Sequence, residues 1–178
     1  MQNPIDLQPT LEGKQVIVRP VREHDWEQMY EVASDPAVWA LHPDKDRYKE
    51  DVFRRYFDGA MSSASAFSII DRDTGKVCGS SRFHGHDVSR REIEIGWTFL
   101  GLKYWGGVYN AEVKSLMLGH AFKFVDTVVF WVGETNARSR KAVEKIGGVL
   151  RPGVQLRALS AGNAHVVYEI TKEIWEHS

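Results

Sequence analysis

The residues best suited to do chemistry in this chain lie between Lys103 and Asn110. The run Lys103-Tyr104-Trp105-Gly106-Gly107-Val108-Tyr109-Asn110 carries two adjacent glycines, which let a backbone approach a ligand closely. Behind it, Val113, Leu116, Met117, Ala121 and Phe124 recur at helical spacing, so the loop opens a helix predicted from Asn110. Unpaired amides and the helix dipole at such a start can hold an anion. An ordinary strand–loop–helix connection would read the same way. The glycines fit neither the dinucleotide fingerprint nor the Walker pattern, which argues against a nucleotide-binding protein. Upstream, Glu92 and Glu94 share one face of a strand. Downstream, Asn136 is suited to cap a helix whose first turn holds Ser139. No metal-ligand spacing is present, so no metal is expected.

These residues need elements to hold them. Glu92 to Phe99 alternates polar and apolar residues, which is strand periodicity. Before it, Lys14–Pro20 reads as a strand, Arg22–Ala33 and Asp46–Met61 as helices, and Ala66–Ile70 with Lys76–Phe83 as a hairpin around Asp73-Thr74-Gly75. After it, Thr127–Val132 is a buried-type strand, and Asn136–Ile146 a short helix stopped by Gly147-Gly148. Strands near Val149–Arg151 and Ala164–Ile170 enclose the polar loop Leu159–Asn163. The order β-α-α-β-β-β-α-β-α-β-β is mixed α/β, antiparallel in its first half with a strand–helix–strand crossover at the centre.

Composition narrows the class. With 178 residues, 43% hydrophobic and 26% charged, the chain can bury one full core, and residues 1–178 are expected to form a single domain with 1–10 as a loose tail. The net charge of −1 favours neither nucleic acid nor an anionic membrane as partner. No apolar run is long enough to span a membrane. The single cysteine, Cys78, excludes an internal disulfide framework and suits the cytoplasm; it reads as a core residue, as does His120.

In this order and spacing, the opening Gly13–Pro20, Ile93-Glu94-Ile95-Gly96-Trp97, Tyr104–Glu112, and Asn136-Ala137-Arg138-Ser139 leading to Val143–Gly147 resemble the GCN5-related N-acetyltransferases. The closest likeness is to the branch containing ribosomal-protein N-terminal acetyltransferases. The resemblance spans nearly the whole chain. It implies a mixed central sheet whose parallel central strands splay apart, with flanking helices, and acetyl-CoA as cosubstrate in the opening. It further implies that Thr98, Phe99 and Leu100 pair with the pantetheine arm and that amides from Tyr104, Trp105, Gly106, Gly107, Val108, Tyr109 and Asn110 hold the pyrophosphate. Val108 and Asn110 depart from the family loop, which favours small residues there. Asn136 is implied to contact the pantetheine, and Ser139 to sit near the thioester sulfur as hydrogen-bond donor or acid. Val143 stands where many relatives carry a tyrosine acid.

Acetyl transfer needs a neutral amine. Deprotonation at pH 7 costs roughly 1.4 kcal/mol for an α-amine near pKa 8, and roughly 4.6 for a lysine near 10.4, which favours an α-amine acceptor. Glu94 is the first candidate base, with Glu92 beside it and His84 or His86 acting through water. Lys114, Arg138, Arg140 and Lys141 are candidates for the CoA phosphates, and Trp39, His42, Tyr56 and Arg157 border the acceptor pocket of relatives. The expected activity is direct attack by a primary amine, either a protein N-terminus or a small molecule, in a ternary complex. A CoA-binding regulatory protein without turnover is the alternative. A monomer or homodimer is expected.

Overall fold

The structure is a computed structural model that describes residues 5–157 and 162–178. Its strands are β1 (Leu11–Glu12), β2 (Val16–Pro20), β3 (Ala66–Asp71), β4 (Val77–Asp87), β5 (Glu92–Leu100), β6 (Thr127–Gly133), β7 (Val149–Leu150), β8 (Gln155–Arg157) and β9 (Asn163–Thr171). Its helices are α1 (Trp26–Ala33), α2 (Glu50–Ser63), α3 (Val108–Ala121), α4 (Ala137–Lys145) and α5 (Lys172–Glu176). The sheet runs β1-β2-β3-β4-β5-β6-β9-β7, with β8 also paired to β9. Among the described residues every pairing is antiparallel except β5 with β6. The expected mixed α/β architecture is the one observed.

Two apolar layers cover the sheet. On one face Met29 and Ala33 of α1 and Phe53, Phe57 and Ala60 of α2 pack with Trp39, Ala66, Ile70 and Phe99. On the other, Val113, Met117, Leu118 and Ala121 of α3 and Val143 of α4 pack with Ile93, Ile95, Val128 and Phe130. Strand alternation sorts β5 between them: Ile93 and Ile95 join the α3 layer, while Phe99, beyond a register shift against β4, joins the α1–α2 layer.

Boundaries differ from the sequence reading in instructive ways. The two early helices each begin with a tighter three-residue-per-turn segment, Glu23–Asp25 and Lys45–Tyr48. The helix after the glycine loop starts at Val108, two residues earlier than expected. The short strand β8 and helix α5 carry no clear periodicity, so no pattern in the sequence announces them. The polar loop Leu159–Asn163 lies in part outside the described residues. Within residues 1–10, Ile5 and Leu7 pack on the α3 layer, and the Asp6 carbonyl accepts a hydrogen bond from His120 Nε2 at 2.7 Å; from Ile5 onward the segment is laid against the core.

Several polar groups pin the framework. Asp25, 3% exposed, accepts both arms of Arg19 at 2.8 Å, the Ser68 hydroxyl at 2.7 Å and the Arg22 amide at 2.9 Å. Glu112 leaves α3 to accept the Gln15 amide, and a Cβ at Gly13 would collide with its carboxylate. This acidic residue of the loop motif ties the helix to the β1–β2 turn. Tyr168, fully buried on β9, donates to Glu144 at 2.6 Å and accepts from Arg140 at 3.0 Å, which fixes α4.

Candidate active site

Parallel pairing of β5 with β6 covers only Glu92↔Thr127, Ile93↔Val128 and Glu94↔Val129. Beyond Glu94 the two strands part. The cause lies in β5, where the register against β4 shifts and Trp97 adopts φ +52°. A positive φ is strained for a bulky side chain, and such bulges re-aim the strand near functional sites. Trp97 is held there from several directions. The Tyr56 hydroxyl donates to its carbonyl, the guanidinium groups of Arg82 and Arg157 lie over its ring at 4.6 and 4.8 Å, and His84 meets it edge-on at 5.0 Å.

The gap between the strands is a cleft of about 210 Å³. Thr98, Phe99 and Leu100 line one wall, and Phe130, Trp131 and Val132 line the other. One end reaches Trp105, Gly106, Gly107 and Asn110 at the start of α3; His42 and His165 stand among its other lining residues. Asn136, Ser139 and Val143 reach it from α4. Asn136 is 2% exposed and its Oδ1 caps α4 by accepting the Ser139 amide at 3.3 Å.

The glycine loop is shaped to leave room. Gly106 and Gly107 both have φ +111°, and a Cβ at Gly106 would meet nothing within 4 Å. The α3 N-terminus and two cations flank this space. Arg138 lines the cleft with its guanidinium 3.7 Å from the Trp105 ring centroid, and the Lys145 ammonium lies 3.3 Å from where a Gly107 Cβ would stand. Backbone donors, a helix start and two cations suit a diphosphate.

Several residues that the sequence nominates lie elsewhere. Tyr104 is a core residue whose hydroxyl donates to Asp71 at 2.8 Å, and Tyr109 packs edge-on against its ring. The Val108 side chain is 60% exposed, and neither it nor those tyrosines is among the cleft-lining residues, though Val108 is the first residue of α3. Glu94 is displaced from the expected role of base: buried, it accepts two hydrogen bonds from Arg157, at 2.7 and 2.8 Å, and is not among the cleft-lining residues. Burial raises its carboxyl above the ordinary range even though Arg157 opposes that shift. Glu92 is paired with Arg151 at 2.6 Å. Of the phosphate cations expected, Arg140 is committed to Tyr168 and the Glu134 carbonyl, and Lys114 lies deeper in the cleft. Lys145 carries no signal in the sequence that would set it apart from other helix-end lysines.

His165 is a further cleft residue that the sequence does not single out. It is 4% exposed on β9, and its Nδ1 sits 2.8 Å from the Asn163 carbonyl. A carbonyl only accepts, so Nδ1 carries the proton and Nε2 keeps its lone pair. Burial, aided by the Arg157 and Arg47 charges, lowers its pKa from 6.5. His42 sits beside it in the cleft lining, with its Nδ1 accepting the Asp44 amide at 2.9 Å and its Nε2 3.4 Å from Arg47 Nη1. Burial first, then Arg47, keeps His42 neutral well below its ordinary pKa.

The profile of the acetyltransferase (GNAT) domain matches residues 15–149. The chain belongs to that family. A curated relative, the uncharacterized N-acetyltransferase YnaD of Bacillus subtilis (strain 168), is 26% identical over 167 residues, covering 91% of this chain and 96% of its own. In fold the acetyltransferase is similar to a GCN5-related N-acetyltransferase from Brucella melitensis, with TM-score 0.83, 19% identity and coverage of 95% and 81% of the two chains. It is likewise similar to Mycobacterium smegmatis RimJ in complex with CoA-disulfide, with TM-score 0.65, 20% identity and coverage of 89% and 82%. Among the described residues, no helix is long and apolar enough to cross a membrane, and no cluster of three or more His, Cys, Asp or Glu could hold a metal.

Proposed function

We propose that the acetyltransferase transfers the acetyl group of acetyl-CoA directly to a primary amine, both substrates being bound at once. The observation that carries this reading is the opening of β5 from β6 beyond Glu94, continuous with the glycine loop at the α3 start. A strand edge at Thr98–Leu100 suits the amides of a pantetheine arm, and the loop suits its diphosphate. The complex of the RimJ relative with CoA-disulfide supports a coenzyme in such a cleft. When bound, acetyl-CoA supplies an activated acyl carbon. Each remaining task falls to a residue of this chain.

His165 takes the proton lost by the acceptor nitrogen, because its Nε2 lone pair is the basic site on a cleft-lining imidazole. Backbone N–H groups around the Trp97 bulge stabilise the charge that develops on the carbonyl oxygen. Asn136 holds the pantetheine, and Ser139 donates a hydrogen bond to the sulfur.

The acceptor side carries arginines, with their carboxylates already engaged. Asp44 pairs with Arg47 at 2.9 Å and Glu94 with Arg157, while Asp46 lies 3.4 Å from Lys49. None of these carboxylates lines the cleft, and carboxylates already engaged offer little to a polycation, which suits an amine that arrives neutral. An α-amine of a protein N-terminus or a small molecule meets that demand at least cost.

The test is calorimetric titration with acetyl-CoA, with CoA and ATP as comparisons, followed by a thiol-release screen of amines. Saturable binding of acetyl-CoA and CoA but not ATP, then turnover with an α-amine, is expected. Equal binding of ATP, or no binding, refutes the reading. Binding without turnover for any amine would instead fit a regulatory CoA-binding protein.

A further inference from the structure

Lys114 is the unusual residue of the cleft. It projects from the second turn of α3, is 6% exposed, and lines the cavity. Its Nζ donates to Thr98 Oγ1 at 2.6 Å, and Thr98 Oγ1 also meets the Ser81 hydroxyl at 2.8 Å. The Phe130 ring lies 5.7 Å away on the opposite strand. An ammonium buried beside hydroxyls and an aromatic face, with no carboxylate partner among the described residues, is costly unless it serves a charge that comes and goes.

Building on the acetyl-CoA reading, we propose that Lys114 is the proton donor to the CoA sulfur as the thioester breaks. The acceptor nitrogen forms its bond to the acetyl carbon, and the carbon–sulfur bond breaks with its electron pair passing to sulfur. Lys114 then gives one Nζ proton to that sulfur, leaving a neutral amine and a CoA thiol. The acceptor's proton resides on His165, and exchange through solvent restores both groups.

Other cleft residues fit the task less well. Val143 has no proton to give, and the Ser139 hydroxyl is too weak an acid to be a net donor. His42 and His165 are held neutral. Burial alone brings the Lys114 ammonium down to about 7, with no charged side chain of β4, β5, β6 or α4 contributing. A CoA thiol titrating near 8.5, like cysteine, therefore holds the shared proton in preference to Lys114 by roughly thirtyfold. A donor with a pKa near the working pH is also the most effective general acid.

The test needs no acceptor. Affinities of CoA and of desulfo-CoA, in which hydrogen replaces the thiol, are measured at pH 8 for wild type, Lys114→Met and Lys114→Arg, and bound thiolate is followed by its ultraviolet absorbance. In the wild type CoA should bind as the thiol, without thiolate absorbance, and more tightly than desulfo-CoA by about fivefold, the worth of a neutral hydrogen bond. Lys114→Met should abolish that preference without thiolate appearing; Lys114→Arg, a cation that keeps its proton, should lower the pH at which bound thiol ionises and so bring in the thiolate absorbance. Equal weakening of both ligands in Lys114→Met would mean that Lys114 serves the diphosphate, and would overturn the proposal, as would an unchanged preference. Should Lys114→Met not fold, the wild-type preference and the Lys114→Arg titration still decide. Failure of wild type to bind acetyl-CoA at all sinks the parent reading; binding indifferent to Lys114 sinks only this one.

Discussion

Arg157 and Glu94 form a buried pair, 10% and 6% exposed at their side chains, and the two partners should fail differently when separated. Arg157→Met strands a carboxylate away from water. That carboxylate can escape by taking a proton, which for an ordinary glutamic acid costs roughly 1.36 kcal/mol for each of the 2.7 pH units between 4.3 and 7, or about 3.7 kcal/mol. At pH 5 the same escape costs only about 1 kcal/mol. Loss of the guanidinium from over Trp97 and Trp131, at 4.8 Å from each ring, adds about 1–2 kcal/mol at either pH. Glu94→Gln strands an arginine instead, which has no accessible neutral form. Its loss should be about 3 kcal/mol at pH 5, the lower end for a broken buried pair, since the amide oxygen still accepts one hydrogen bond.

The sign follows from linkage. Burial raises the Glu94 carboxyl above its ordinary value in the fold. Its contribution to stability is therefore fully present below the ordinary carboxylate range and is lost as pH rises through the raised value. Removing Arg157 removes the opposing effect and steepens that decline. Urea unfolding followed by tryptophan fluorescence at pH 5 and pH 7 measures both variants. Arg157→Met should lose more at pH 7 than at pH 5, by up to about 2.7 kcal/mol, the difference of the two proton costs, while Glu94→Gln, which removes the titrating carboxyl, should lose no more at pH 7 than at pH 5. A pH-independent Arg157→Met, or a harmless Glu94→Gln, would refute the reasoning.

Other outcomes follow from the same structure. Asp25→Ala should lose about 3–5 kcal/mol by leaving Arg19 unpaired. In the wild type, burial pushes the Asp25 carboxyl up, but Arg19, Ser68 and the Arg22 amide outweigh it and hold it below 3.8, so its contribution is present above the ordinary value and vanishes as pH falls through the depressed one, visible in acid unfolding. Gly107→Val, at φ +111°, should weaken acetyl-CoA binding at least about tenfold and cost about 1–3 kcal/mol of stability, read by calorimetry and thermal melting. His165→Gln should lower kcat/KM by about 10²–10⁴ with the best amine from the screen, and should leave acetyl-CoA affinity in place. Cys78, fully buried with its thiol pushed up to about 12, should resist alkylation in the native protein at neutral pH and react once urea unfolds it.

Local patterns made most of the scaffold legible. Alternation in Glu92–Phe99 and the apolar repeat after Asn110 mark the strand and helix that frame the cleft, because each pattern is a property of its own segment. Lys114 shows where such reading slips. A stripe through Val113, Leu116, Met117, Ala121 and Phe124 turns Lys114 toward solvent, yet the buried residues of α3 are Val113, Lys114, Met117, Leu118, His120 and Ala121. Lys114 stands three residues before Met117, four before Leu118 and seven before Ala121, so a slightly rotated stripe places it inward. The charge of the side chain argues against that rotation, and the cleft overrides the argument by giving Nζ a hydroxyl partner.

Glu94 and His165 mark a different limit. Nothing within Ile93–Trp97 says that an arginine 63 residues downstream will take the carboxylate, nor does Asn163–Val167 say that β9 will lie beside β6. Those facts belong to the pairing of strands distant in sequence. That pairing also reassigns the proton chemistry. With Glu94 bound to Arg157, whose guanidinium lies over Trp97, the proposed mechanism gives the basic lone pair to the His165 imidazole. A residue that looks like a base in isolation is then part of the support of the bulge, and perturbing it should disturb cleft geometry and coenzyme affinity together. Loss of His165 should disturb turnover alone.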